Sequence, residues 1–82
     1  MGVVVVIVMV DYYKLEIGDM AKYFLVDGDD AVEISVVESG KSSTVGTNAD
    51  IMDEVSDAFE VSESEIPDDV LSKLERGADN LL

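Results

Sequence analysis

Asp11–Ile17 and Ala31–Val37 carry their apolar residues at a two-residue period, and a glycine–aspartate pair interrupts the chain once after the first segment and once before the second, which limits the fold more than any other feature. Tyr13, Leu15 and Ile17 alternate with Tyr12, Lys14 and Glu16, the pattern of a strand with one buried and one wet face. The IGD at Ile17–Asp19 ends that strand, and Met20–Val26 supplies the next. DGDD at Asp27–Asp30 is a turn sequence, because aspartate hydrogen-bonds its own backbone and glycine accepts positive φ. Val32, Ile34 and Val36 then line one face of a third strand, with Glu33, Ser35 and Val37 on the other. A β meander of three to four antiparallel strands is expected within residues 1–38.

After residue 40 the apolar spacing lengthens toward a helical period, with residues 39–47 read as a loop. Thr47 or Asn48 can cap a first helix, and Asp50 lies near the positive end of its dipole. Ile51, Val55, Ala58 and Phe59 fall at i, i+4, i+7 and i+8 as one apolar stripe. Asp50, Asp53, Glu54, Asp57 and Glu60 occupy the remaining surface. The like-charge pairs Asp50/Glu54 and Asp53/Asp57 each cost roughly a few tenths of a kcal/mol, so the apolar stripe must hold this helix. A second helix is marked by Pro67 in its first turn, Asp68 and Asp69 at its positive end, and Lys73 and Arg76 toward the other. Gly77 is expected to stop it. Val70, Leu71, Leu74 and Ala78 form its buried stripe, and Leu81 and Leu82 can anchor the terminus. The expected architecture is α+β: one small domain over 1–82, an antiparallel sheet of three to four strands followed by two helices (48–82) packed on one face.

The run VVVVIVMV at Val3–Val10 does not alternate. It reads as a strand covered on both faces, either inside the chain's own sheet or against a second subunit, because such a segment left at an edge invites aggregation. A homodimer through Val3–Val10 is one expectation and a central strand of the monomer the other. Eight apolar residues fall well short of the roughly twenty that a membrane helix needs. The run also lacks a basic leader and a cleavage site. A cytoplasmic protein with no membrane partner is the expectation.

Nineteen acidic residues against five basic ones give a net charge of −14, which repels nucleic acid, anionic lipid and polyphosphate ligands. Basic proteins are the favoured partners. Apolar residues still make up 48% of the chain, so the composition is that of a packed domain with a charged skin rather than a disordered acidic tail. Histidine and cysteine are absent, which removes thiolate catalysis, disulfides and the common zinc sites. No cofactor is implied.

Three motifs suggest chemistry and each is incomplete. GKS at Gly40–Ser42 ends many phosphate-binding loops, but the glycine required five positions earlier is Ser35, and SSTVGT is a poor helix start. Counting a calcium loop from Asp27 puts Glu38 at the twelfth position as required, yet the sixth is Val32 rather than glycine, so turn chemistry explains DGDD better. Ile51–Ile66 has the rhythm of a helix-turn-helix, but Glu63 and Glu65 stand where a DNA reader needs basic or amide side chains. The sequence therefore points to a non-enzymatic acidic protein-interaction module, in the manner of an inhibitor or nucleic-acid mimic that occupies a basic surface. Its contact residues would be Asp50, Asp53, Glu54, Asp57, Glu60, Glu63 and Glu65. The alternatives are a structural or oligomerising protein whose acidic surface is adapted to salt, as in halophiles, and a carboxylate-dependent cation-binding enzyme.

Overall fold

The structure, a computed structural model, describes residues 2, 10–40, 42–45 and 49–81. Four strands follow one another as β1 (Asp11–Ile17), β2 (Met20–Asp27), β3 (Asp30–Val37) and β4 (Ser42–Val45). The first two turns are the glycine–aspartate pairs. Ile17 pairs with Met20 and Asp27 with Asp30, so each hairpin closes over two residues. Gly18 and Gly28 take the first loop position with φ of 57° and 63°. Positive φ at that position turns the chain with the twist its strands need, and a residue with a Cβ adopts it only under strain.

Beyond β4 come α1 (Ala49–Ser56), β5 (Phe59–Val61), a 3₁₀ turn (Glu63–Glu65) and α2 (Asp68–Leu81). β5 pairs antiparallel with β1, giving one five-stranded sheet in the order β4-β3-β2-β1-β5. The α+β class and the antiparallel sheet followed by two helices are those read from the sequence. Two further strands appear, each with a physical cause. Ser42–Val45, inside the expected loop, is polar and does not alternate, but it pairs with β3 from Glu33 to Val36. Phe59, expected on the first helix, is instead in β5 opposite Lys14, because α1 has already ended. Ser56 Oγ donates to the Asp53 carbonyl at 2.6 Å, and the N–H groups of Asp57 and Ala58 donate three residues back to Glu54 and Val55. Such a tightened turn closes a helix whose acidic end opposes its own dipole.

The helices take opposite faces of the sheet, not the single face expected. Tyr23, Leu25, Val32 and Ile34 point to one side and are covered by Val70 and Leu74 of α2 together with Ile66. Phe24 and Ala31 point to the other and are covered by Ile51 of α1, with Tyr13, Leu15, Val26, Met52, Val55 and Ala58 around them. Both faces of β2 and β3 are therefore buried, which is why Tyr23-Phe24-Leu25 runs apolar without alternation. Each fully buried side chain, such as Phe24, Ile34 or Leu74, contributes roughly 1.5–3 kcal/mol by leaving water. The chain passes from the β4 edge to the β5 edge by way of α1 and returns across the opposite face as α2.

α2 starts where proline and acid placed it, with the Leu71 N–H donating to the Pro67 carbonyl at 2.9 Å. Gly77 does not stop it, since the helix continues to Leu81. Gly77 is buried against β3, and a Cβ there would lie 2.7 Å from Val32 Cγ1 and 3.3 Å from Thr44 Cγ2. It permits close approach of helix and sheet. Val3–Met9, Thr47, Asn48 and Leu82 lie outside the described residues, and with them the expected dimer strand and the first helix cap. Val10 alone of that strand is described, packed against the core under α2. Among the described residues, no helix is long and apolar enough to cross a membrane.

Candidate functional site

α1 sorts its acids by side. Ile51 is buried at 2% exposure, with Met52 and Val55 beside it on the sheet, so Asp50 and Asp53 are left on the outer surface. Asp57 is exposed in the turn after the helix, and Glu60, exposed on β5, lies opposite Tyr13 on the same side of the sheet. These four lie exposed on and around α1. Within the helix, acids three and four residues apart stand about 5–6 Å from each other. Neither Asp50, Asp53 nor Asp57 has a basic group within ion-pair distance among the described residues, where the ion pairs are Lys14–Glu16, Lys22–Glu33 and Lys22–Glu54.

Glu54 departs from the row. It leans toward the sheet, where its Oε1 accepts a hydrogen bond from Lys22 Nζ at 2.5 Å. The same ammonium lies 3.1 Å from Glu33 Oε1. Lys22 on β2 and Glu33 on β3 both point to the α1 face, because they share the parity of Phe24 and Ala31 in the strand register. Glu33 is buried at 6% exposure. Its burial pushes the carboxyl above the usual range, the adjacent Glu54 carboxyl pushes the same way, and Lys22 pulls back. The hydrogen bond from Lys22 holds Glu54 below that range, and the same bond raises Lys22. One cation is thus shared by two carboxyls that interact with each other, and their titration belongs to the pair.

Glu63 and Glu65 sit on the 3₁₀ turn, beyond the end of β5. The Glu65 carboxylate accepts from the Ser62 N–H at 2.7 Å, which with the Ser62 hydroxyl holds its titration low. Glu63 bears on Tyr12, whose hydroxyl is raised first by burial and then by Glu63 and Glu75, and Tyr12 faces α2. Of the seven residues expected to form one surface, the structure brings Asp50, Asp53, Asp57 and Glu60 to the α1 side. It turns Glu54 inward and places Glu63 and Glu65 around the sheet edge. Every other acidic side chain apart from Glu33 is exposed as well, at both hairpins and along α2.

The incomplete motifs resolve as structure. Ser42 after Gly40 begins a strand rather than a helix, and its hydroxyl accepts from Lys73 Nζ at 2.6 Å, so no phosphate-binding helix start forms there. β3 runs extended from Asp30 to Val37, which separates Asp27 from Glu38 by the length of the strand. Among the described residues no group of three acidic side chains is placed to hold a metal ion. Between the two helices lies β5, so Ile51–Ile66 is not a helix-turn-helix.

The Lys22–Glu33–Glu54 cluster is absent from the expectations drawn from sequence, which place Glu33 on the strand face opposite Val32, Ile34 and Val36 and Glu54 on the outer helix surface. A signal was present: a lone lysine in the run MAKYFLV and a lone glutamate in AVEIS are charges inside strands too apolar to be half solvated. The exposed Phe59 was missed because its spacing matched the helix stripe. Comparison with protein-family models, curated proteins and solved structures finds no match to this chain.

Proposed function

We propose that this is a non-enzymatic interaction module whose acidic α1 side meets a basic protein surface, in the way an inhibitor or nucleic-acid mimic would, in a cytoplasmic setting. The supporting observation is the division of charge on α1. The one acid that faces the sheet is neutralised by Lys22, while Asp50, Asp53 and Asp57 remain outside with no basic group beside them among the described residues. Exposed like charges one turn apart oppose the helix that carries them, and they become favourable only when a positive surface or concentrated counterions lie opposite. Those two circumstances are the two readings. The second, a surface adapted to a salty solvent, is favoured by the exposure of acids on every side of the molecule.

Salt and charge substitution separate them. Raising monovalent salt from 0.01 M to 1 M shortens the screening length from about 30 Å to about 3 Å, so the isolated protein should gain stability under either reading. Affinity for a basic partner captured from the source cell should fall over the same range. Replacing Asp53 and Asp57 together by asparagine removes negative charge from the C-terminal end of α1, where it opposes the helix dipole, and should stabilise the isolated protein by roughly a few tenths of a kcal/mol. The same pair changed to lysine should weaken the complex by about tenfold or more. Denaturant unfolding measures the first and titration calorimetry the second. A complex indifferent to salt and to the charge reversal leaves the acidic surface as solvent adaptation.

A further inference from the structure

We propose that the open β1–β5 edge of the sheet is the docking site for an extended, lysine- or arginine-rich segment of the partner, which adds to the sheet as a further strand. This rests on the acidic-module reading and names the part of the partner that is recognised. β5 pairs with β1 only from Tyr12 to Lys14. Leu15, Glu16 and Ile17 are bonded to β2 on one side and have no strand on the other among the described residues. Beside that gap, Lys14, Leu15, Glu16, Phe59 and Val61 line a groove of about 410 Å³.

Two large apolar side chains stand in water here, Phe59 at 77% exposure and Ile17 at 48%. An unpaired strand edge with exposed apolar groups is a liability that folds normally blunt with charge or cover. The register says what an incoming strand would meet. Phe59 shares the α2 side with Lys14 and Glu16, whereas Leu15 and Ile17 are on the α1 side. A segment of alternating basic and apolar residues would therefore set apolar groups on Leu15 and Ile17, and basic groups opposite Glu16 with their aliphatic stems and ammonium heads against the Phe59 ring. Its backbone would complete the ladder.

Charge chooses the occupant. Asp57 lies two residues before Phe59 and Glu60 one after it, and Glu63 and Glu65 follow beyond Val61 and Ser62. The one lysine at the groove, Lys14, is already 3.1 Å from Glu16 and lies over the Tyr23 ring. A second copy of this chain, at −14, would bring acid against acid, which disfavours it.

The test uses the full chain and a fluorescein-labelled synthetic peptide alternating lysine with valine. Three further peptides serve as controls: the same composition in two blocks, the same sequence methylated on alternate backbone nitrogens, and a glutamate–valine version. Anisotropy at low salt should show binding of the alternating lysine peptide alone, with amide shifts in NMR spectra centred on Leu15, Glu16, Ile17 and Phe59. Phe59→Ala and backbone methylation should each weaken it by about tenfold or more, while Phe59→Leu retains part of the affinity. Because Phe59 is exposed, the alanine variant should keep its fold, and its melting temperature checks this. Equal binding of the blocked and alternating peptides with no effect of Phe59→Ala overturns the edge site and leaves the acidic-module reading standing. Shifts at the same residues that grow with protein concentration and no peptide overturn it in favour of a second copy. Failure of every lysine peptide to bind, together with a captured partner unaffected by the Asp53/Asp57 reversal, removes both proposals.

Discussion

Replacing Lys22 by methionine is expected to destabilise the protein by about 3 kcal/mol at pH 7, the low end of the range for breaking a buried ion pair, since Glu54 is one-third exposed. The substitution keeps the aliphatic length of the side chain and removes the cation shared by Glu33 and Glu54, whose carboxyls then face each other across the α1–sheet contact. The pH dependence gives the signature. Glu33 is raised in the folded protein, so its contribution is complete below the ordinary value of 4.5 and is lost as pH rises through the folded value. Glu54 is depressed, so its contribution is present above 4.5 and is lost as pH falls through its folded value. In the native protein the two slopes oppose each other between acid and neutral pH.

Without Lys22 the largest cause of the Glu54 depression is removed and Glu33 rises further, so the pair as a whole favours a more protonated fold. The Lys22→Met variant should then be close to native stability near pH 4.5 and fall progressively behind toward pH 7. Denaturant titrations at a series of pH values read this directly. Lys22→Met combined with Glu33→Gln should recover much of the loss, because no buried carboxylate remains. Lys14→Met is the control, since that lysine pairs at the surface with Glu16 and should cost less than about 1 kcal/mol. A Lys22→Met variant with a flat deficit across pH would show that packing, not charge, had been lost.

At Gly77 the expected sign opposes helix propensity. Glycine inside a helix is about 1 kcal/mol worse than alanine, so Gly77→Ala would stabilise α2 in isolation. In the protein the new methyl would fall 2.7 Å from Val32 Cγ1, a fully buried β-branched side chain with little freedom to turn aside. Overpacking costs about 1–3 kcal/mol, so Gly77→Ala should lose about 1 kcal/mol net and Gly77→Leu about 3 kcal/mol. A double-mutant cycle with Val32→Ala should give a favourable coupling of about 1 kcal/mol, the added methyl occupying space the valine vacates. A Gly77→Ala variant more stable than the native protein would mean that α2 does not approach β3 this closely.

The parts of the fold visible in the sequence are those fixed by local chemistry. Gly18 and Gly28 set the first two hairpins, alternation set β3, and the proline, acid and apolar spacing set α2. The parts hidden from it depend on partners distant in the chain. Ser42–Val45 is a strand because β3 offers it an edge, and Phe59–Val61 because β1 does. Which face each helix covers could not be read from α1 or α2, since each has one apolar stripe and the sheet has two apolar sides. Gly77 carries the usual mark of a helix end, and only its position against Val32 gives it another role. For the candidate site, the outer acids were legible as exposed charge. The inward turn of Glu54 required knowing that Lys22 lay beneath it, thirty-two residues away.

The crossing of the chain from one edge of the sheet to the other also sets an order of assembly. The first two hairpins close loops of two residues, so β1 to β3 can associate early, with little chain entropy to overcome. Pairing β5 with β1 must close the whole stretch from Tyr12 to Val61, and it gains only three residue pairs. In amide exchange the β5 edge should therefore open in a smaller, lower-energy step than the β2–β3 centre, ahead of global unfolding. A strand laid beside it would slow that opening, so that the least protected margin of the free protein becomes the most responsive reporter of the bound one.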